Sequence, residues 1–317
     1  MPTQRAVYVV YNPQAGKMRR HPELFERALE VLRQKWPEVH AVATTGPETA
    51  GRIVSGCIGQ GAGLILVAGG DGTINEALSG VAGTDVPFGI LPFGTANVLS
   101  NELRKGNNPV RAAELLKQCT PIPISLGRMV TGSEKRLFIC MAGAGLDARI
   151  VRIVSPKVKS ALGKYAYWLY AFEQVGRQLH QFRVRVNGRE YVTSFALISR
   201  VRNYGGDIEI ARRANLLEDH FAIVLCEGLS SSRYLKYFAG VVFNTMDRMS
   251  GVHVLESTSV EVETIEGCKL DRQLDGEHVG FGAARYEIVE GAIRLLIPPP
   301  YLSVMTPATV RLQYESF

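Results

Sequence analysis

Gly69-Gly70-Asp71-Gly72-Thr73-Ile74-Asn75-Glu76-Ala77-Leu78 joins an apolar run to a segment of helical periodicity. Before it, Leu64-Ile65-Leu66-Val67-Ala68 is short, apolar and bounded by glycine, the pattern of a buried strand. After it, Ile74, Ala77, Leu78, Val81 and Ala82 recur at helical spacing. Thr73 and Glu76 have the spacing of a capping box, which predicts a helix starting at Thr73. Glycines between a strand end and a helix start sit where backbone N–H groups and the helix dipole hold phosphate. Lacking a Cβ, they let the backbone approach a ligand closely. Asp71 repels phosphate, so its carboxylate is expected to hold a phosphate-bound Mg²⁺, directly or through water. For a Gly-Gly pair alone, a plain β–α turn would be an equal alternative.

The flanking segments repeat this logic. Ala6 to Tyr11 reads as a first strand, ending in the turn cluster Asn12-Pro13-Gln14-Ala15-Gly16-Lys17. That cluster is too short for a Walker A loop, and a plain turn is the favoured reading of it alone. Leu24, Phe25, Ala28, Leu29 and Leu32 form a helical stripe between Pro22 and Pro37. Val39 to Thr44 reads as a strand, followed by a helix over about residues 48–58. Phe88 to Asn97 is again strand, Gly-Thr turn and helix start; Thr95 either caps that helix or bonds a phosphate oxygen. Alternating strand and helix through about residue 120 implies an open α/β sheet with its ligand at the carboxyl ends of the strands.

Beyond about residue 121 the texture changes. Arg136 to Met141 is strand-like and runs into Ala142-Gly143-Ala144-Gly145-Leu146-Asp147, where Asp147 is read first as a turn residue and otherwise as part of a catalytic network. Ser160 to Leu179 is a helical stretch containing Tyr165, Tyr167, Trp168, Tyr170 and Phe172. Arg149, Arg152, Lys157, Lys159 and Lys164 flank it. A helix packed on a sheet is favoured there over one that meets lipid headgroups. Alternating Phe182, Val184 and Val186, the Asn187-Gly188 turn and the returning run from Tyr191 predict a hairpin. Further runs at residues 221–226, 252–255, 260–264 and 293–297, around one helix near residues 231–246, make the second half mainly β. A sandwich is expected, with a cleft between it and the first half. Residues 1–124 are thus expected as an α/β domain and 125–300 as a β-rich domain. Residues 301–317 are left as a C-terminal segment, with a return to the first domain as one reading.

Composition narrows the class. The net charge of +6 suits loose attraction to anionic phospholipid, and no nucleic-acid-binding signature accompanies it. No run approaches the length a membrane span needs, and Met1 to Arg5 lacks an apolar signal core. A cytoplasmic protein that touches the inner membrane face is expected. Cysteines 57, 119, 140, 226 and 268 are too scattered for a zinc site or a disulfide framework.

The string Gly-Gly-Asp-Gly-Thr-x-Asn-Glu resembles the nucleotide loop of the diacylglycerol kinase catalytic-domain family, the bacterial soluble lipid kinases related to sphingosine and ceramide kinases. NAD kinases and phosphofructokinases share its first four residues; Asn75-Glu76 favours the lipid kinases. Pro92-Phe93-Gly94-Thr95-Ala96-Asn97 resembles the family's second motif, and Asp275-Gly276-Glu277 its third. Asn203-Tyr204-Gly205-Gly206 and Leu216 to His220 resemble two further segments. The resemblance implies transfer of the γ-phosphate of ATP to a lipid hydroxyl, with Mg²⁺ bridging the phosphates. Asn12, Pro13, Gln14, Ala15, Gly16, Thr44, Gly70, Asp71, Gly72, Thr73, Ile74, Asn75, Glu76 and Thr95 would line the ATP site. Glu277 would be the general base, Asp275 would orient it or bind metal, and Asp71 would join the catalytic set. A structural Mg²⁺ would lie on Asp219 and the carbonyls of Leu216 and Phe221. The implied partners are a lipid substrate, an anionic membrane surface and a second copy of the chain. Val98 and Ser125 stand where many relatives have Asp, and His220 where Gly is usual. An NAD kinase-like enzyme and an inactive lipid- or nucleotide-binding regulator are the rival readings.

Overall fold

The computed structural model describes residues 6–132, 134–153, 179–204, 208–229, 232–243, 245–265 and 269–306. The chain forms two compact units, Met1–Ser125 with Glu290–Phe317, and Leu126–Val289. The return to the first unit thus begins at Glu290, earlier than the boundary at 300 set from the sequence.

In the first unit the elements are β1 (Val7–Tyr11), α1 (Gly16–Arg20), α2 (Glu23–Arg33), β2 (Val39–Ala43), α3 (Ala50–Gly59), β3 (Leu64–Gly69), α4 (Asp71–Val81), β4 (Pro87–Pro92), α5 (Val98–Glu102) and α6 (Pro109–Leu116). The strands pair in parallel in the order β2-β1-β3-β4. All six residues of β3 are buried, which is why it reads as an unbroken apolar run rather than an alternating one. On one face Val7, Val9, Leu64 and Leu66 pack on Phe25, Ala28, Leu29 and Leu32 of α2 and on Ala112, Ala113 and Leu116 of α6. The expected open α/β sheet is therefore present, and each of β1, β3 and β4 ends at one of the glycine-containing loops.

In the second unit follow β5 (Thr120–Thr131), which starts in the first unit, β6 (Glu134–Phe138), β7 (Met141–Gly145), α7 (Leu146–Ile153), β8 (Phe182–Val186), β9 (Arg189–Thr193), β10 (Phe195–Ser199), β11 (Asn203–Tyr204), β12 (Ile208–Glu209), β13 (Phe221–Cys226), α8 (Ser232–Val242), β14 (Val252–Ser257), β15 (Ser259–Thr264), β16 (Asp271–Leu274) and β17 (Glu277–Phe281). Then β18 (Ala284–Ile297) carries the chain back, and α9 (Pro299–Met305) follows in the first unit. One antiparallel sheet has the order β14-β13-β10-β7-β16-β17. The facing layer joins β9, β8, β15 and the first part of β18. Ala142, Ala144, Ile198, Phe221 and Ile223 from one layer meet Phe182, Val184, Val260, Val262 and Tyr286 from the other in a single apolar core. This is the expected β-sandwich. The Asn187-Gly188 hairpin is present, with φ of 51° and 75° as a type I′ turn requires.

The aromatic stretch from Ser160 lies outside the described residues up to Leu179, as do Lys157, Lys159 and Lys164. Arg152, at its near flank, is engaged: Nε donates to the Asp271 carboxylate at 2.5 Å.

Candidate active site

In the first unit three loops converge at the carboxyl ends of β1, β3 and β4. The Asn12 amide N–H bonds Ala68 O at 3.0 Å, the Phe93 N–H bonds Gly69 O at 2.9 Å, and the Lys17 N–H bonds Phe93 O at 3.1 Å. The Asn12 side chain donates through Nδ2 to the Thr73 hydroxyl at 3.1 Å. A Cβ on Gly94 would lie 2.5 Å from Gly70 Cα, and one on Gly16 would lie 3.9 Å from Thr95 Oγ1. Only glycine permits the first approach, because the clash is with backbone and nothing there can swing away. The Thr44 N–H bonds Tyr11 O at 2.8 Å, which sets Thr44 beside the same strand ends. Asn12, Pro13, Gln14, Ala15, Gly16, Thr44, Gly70 to Glu76 and Thr95 thus belong to one neighbourhood.

Two details differ from expectation. Helix α4 starts at Asp71, not Thr73, and Gly70 in extended conformation is its N-cap. Thr73 is therefore inside the first turn and no capping box forms; its hydroxyl accepts from Asn12 instead. Glu76 turns to the next helix, where Oε2 accepts from the first N–H of α3, at Ala50, at 3.3 Å. Asp71 is half-buried in the first turn of α4, and its Oδ1 accepts from the Val98 N–H at 2.7 Å, tying down the start of α5. Ile74 is a core side chain at 2% exposure, so only its backbone can face a ligand. Thr95 does not cap α5; that N-cap is Asn97, left-handed at φ 47°.

Sequence reasoning passed over Asn97 as a site residue. It is buried, its Oδ1 accepts from the Gly94 N–H at 2.8 Å, and its Nδ2 donates to Gly94 O at 3.1 Å and Asn107 Oδ1 at 2.8 Å. It holds the Gly94 turn from both sides. The Lys17 ammonium donates to Asn107 O. Burial, and to a lesser degree Arg20, pushes its pKa below the usual lysine value.

In the second unit Asp275 and Gly276 form a two-residue turn between β16 and β17, with φ of 47° and 82° and Leu274 paired to Glu277. The signal is that of a type I′ Asp-Gly hairpin. Asp275 is buried, and its carboxylate accepts three backbone N–H bonds. Oδ2 accepts from Ile139 at 3.0 Å, and Oδ1 from Cys140 at 2.8 Å and Met141 at 2.9 Å. Its own N–H bonds Met141 O at 2.8 Å. Asp275 is thus the anchor of the turn, in place of the metal ligand considered from sequence. Asp275 is buried, whereas Glu277, at the start of β17, is exposed.

A second tie holds the same turn. Gln273 Oε1 accepts from the Gly276 N–H at 2.8 Å, and its Nε2 donates to Asp147 Oδ2 at 2.8 Å. Tyr204 donates its hydroxyl to Asp147 Oδ1. Asp147 is wholly buried in the first turn of α7, which corrects its reading as a turn residue. Burial raises its pKa to about 6, against the opposing pull of the Tyr204 and Gln273 hydrogen bonds. A Cβ on Gly143 would fall 1.6 Å from Asp147 Oδ2, so a glycine at 143 makes room for the pair.

The loop-bound metal does not fit the residues present. Arg200, 0% exposed, donates from Nη2 to Leu216 O at 2.9 Å, and from Nη1 to His220 O at 2.6 Å and to Glu218 O. A Mg²⁺ about 2.1 Å from the Leu216 oxygen would lie within about 5 Å of that nitrogen, where repulsion is about 7 kcal/mol at an effective dielectric constant near 20. Asp219 is exposed. No cluster of three or more metal-ligating side chains occurs among the described residues. Of the expected set of Leu216, Asp219 and Phe221, the Leu216 carbonyl is thus already taken by Arg200.

Comparison with known proteins agrees with the two-unit α/β and β-sandwich fold. A family model described as the diacylglycerol kinase catalytic domain matches residues 6–129, and one described as a YegS C-terminal NAD kinase beta sandwich-like domain matches residues 140–297. A diacylglycerol kinase of Bacillus subtilis is 23% identical over 92% of this chain and 95% of its own length. One from Mycobacterium tuberculosis is 25% identical over 86% of this chain and 88% of its own. A Klebsiella pneumoniae protein named "Probable lipid kinase YegS-like" is 26% identical over 90% and 94%. The crystal structure of a diacylglycerol kinase from Bacillus anthracis superposes with a TM-score of 0.77 at 20% identity, covering 95% of this chain and 99% of that one.

Proposed function

The chain belongs to the diacylglycerol kinase catalytic-domain family, and from that premise we propose that it transfers the γ-phosphate of ATP to the hydroxyl of a lipid alcohol, diacylglycerol being the first candidate. One observation supports the nucleotide half of this reading most. Three loops from adjacent parallel strands meet at the N-terminus of α4, with Gly70 and Gly94 in backbone contact. The N–H groups of a first helical turn lack partners within the helix and favour phosphate oxygens. Asn12 and Asn97 hold the flanking loops in shape before any ligand arrives. Mg²⁺ carried in with ATP would neutralise phosphate charge, and Asp71 is the carboxylate at this helix start to hold it.

The attacking hydroxyl must lose its proton, and Glu277 is assigned that role. The turn that presents it is tied twice, by Asp275 and by Gln273, so the carboxylate is positioned without being buried. Incubation with labelled ATP and a total lipid extract, followed by thin-layer separation, tests the proposal and names the lipid. A labelled lipid that disappears with Glu277→Gln supports it. Label transferred to NAD instead would select the NAD kinase-like reading.

The substrate of such an enzyme lies in a bilayer, and no helix among the described residues is long and apolar enough to cross one. Peripheral contact with anionic lipid is the corresponding proposal, consistent with the charge of +6. Vesicle binding that weakens with added salt would support it.

A further inference from the structure

The loop from Leu216 to His220 turns three alternate backbone carbonyls toward one buried point. The guanidinium of Arg200 occupies that point. Arg200 follows directly on β10 and is held by its own N–H to Cys140 O at 2.8 Å. Its Nη2 reaches Leu216 O at 2.9 Å, and Nη1 reaches His220 O at 2.6 Å and Glu218 O. Converging carbonyl oxygens are donors that a divalent cation also uses. A guanidinium satisfies the same oxygens with fixed, planar N–H donors and needs no supply of metal. Buried carbonyls without a donor are costly, and Arg200 supplies donors to these three.

We propose that Arg200 is the built-in cation of this loop. Residues 216–220 fold around its side chain, and the second unit is stable without any bound divalent ion. His220 fits this arrangement. A cation-binding turn favours glycine, whereas here residue 220 supplies a carbonyl to Nη1 and an imidazole whose Nε2 lies 3.3 Å from Glu218 Oε2. The inference concerns the architecture of the second unit and stands apart from the kinase assignment.

The test uses the whole wild-type chain without nucleotide, so that metal carried by ATP does not enter. Thermal unfolding is followed after treatment with EDTA and dialysis, and again with added Mg²⁺ or Ca²⁺, and bound metal is measured by elemental analysis. The expected result is the same midpoint in all three conditions and no stoichiometric metal. A tightly held ion whose removal lowers the midpoint, or a saturable rise on adding Mg²⁺, would overturn the proposal. Two variants extend the test. Arg200→Met removes the guanidinium donors from three carbonyls and should lower the midpoint strongly. Arg200→Lys retains the charge but not the planar fork and should fall between Arg200→Met and wild type. An Arg200→Met protein as stable as wild type would also overturn the proposal. If that variant does not fold, the wild-type measurement decides by itself.

Discussion

Asp275→Asn separates an anchoring role from a chemical one. The carboxylate accepts from Ile139, Cys140 and Met141 at 3.0, 2.8 and 2.9 Å. Hydrogen bonds to a charged group contribute about 1.5–3 kcal/mol each and neutral ones about 0.5–1.5. Asparagine can keep the two bonds at one oxygen, now neutral. It must then turn its N–H₂ toward the Ile139 N–H, which leaves buried donors facing each other at about 1–3 kcal/mol. Taking the low end of each range, because the turn can relax, the loss is about 4–5 kcal/mol. In a unit of this size about 2–4 °C is lost per kcal/mol, so the midpoint should fall by something on the order of 10 °C. Thermal unfolding by circular dichroism reads this, alongside lipid kinase activity well below the midpoint. The loosened turn should lower kcat through Glu277 while ATP binding to the first unit stays intact. A variant that unfolds within a degree or two of wild type but has lost activity would refute the reasoning. Asp275 would then touch substrate or metal.

Three other perturbations follow from the same geometry. Glu277→Gln keeps the shape of the side chain but accepts no proton; turnover should fall by a factor on the order of 10²–10⁴ with ATP affinity near wild type, and a loss of affinity with full turnover at saturation would make it a binding residue. Gly94→Ala drives a methyl group to 2.5 Å from Gly70 Cα, so kcat/KM for ATP should drop on the order of 10²-fold while the second unit unfolds as before; unchanged kinetics would remove the Gly70–Gly94 contact from the site. Asp147→Asn can be accommodated, since its Oδ1 can face Gln273 and its N–H₂ the Tyr204 hydroxyl. The pKa of Asp147 is raised from 3.8 to about 6 by burial. The favourable contribution of its protonated form is therefore complete below the unfolded value and lost as pH rises through about 6. The asparagine variant should match wild-type stability near pH 4 and exceed it above pH 6, by up to about 3 kcal/mol. Equal stability difference at both pH values would refute this.

The parts of the fold visible in the sequence are those written in local pattern. Leu64 to Leu78 declares a buried strand, a glycine turn and a helix, and all three form. Asn187-Gly188 announces its hairpin because a type I′ turn demands two positive φ angles in succession, and Asp275-Gly276 meets the same demand. The capping box at Thr73 failed because Gly70 already starts the helix and leaves the threonine hydroxyl to Asn12. The first boundary fell within a residue of the crossing in β5, whereas the return was placed late because it falls inside β18, where no linker composition marks it. Arg200 was illegible for a different reason. It binds backbone oxygens sixteen to twenty residues away, and no side-chain pattern records which carbonyls a loop turns inward. Gln273 escaped notice likewise, since its partners Asp147 and Gly276 meet only in the folded sheet.

The central claim is tested most directly by offering diacylglycerol in mixed micelles and NAD, side by side, to the purified protein with γ-labelled ATP and Mg²⁺, next to Glu277→Gln. The account predicts label in the organic phase with wild type, far less with the variant, and none on NAD. Label on NAD, or no labelled lipid from either diacylglycerol or a total lipid extract, would contradict it.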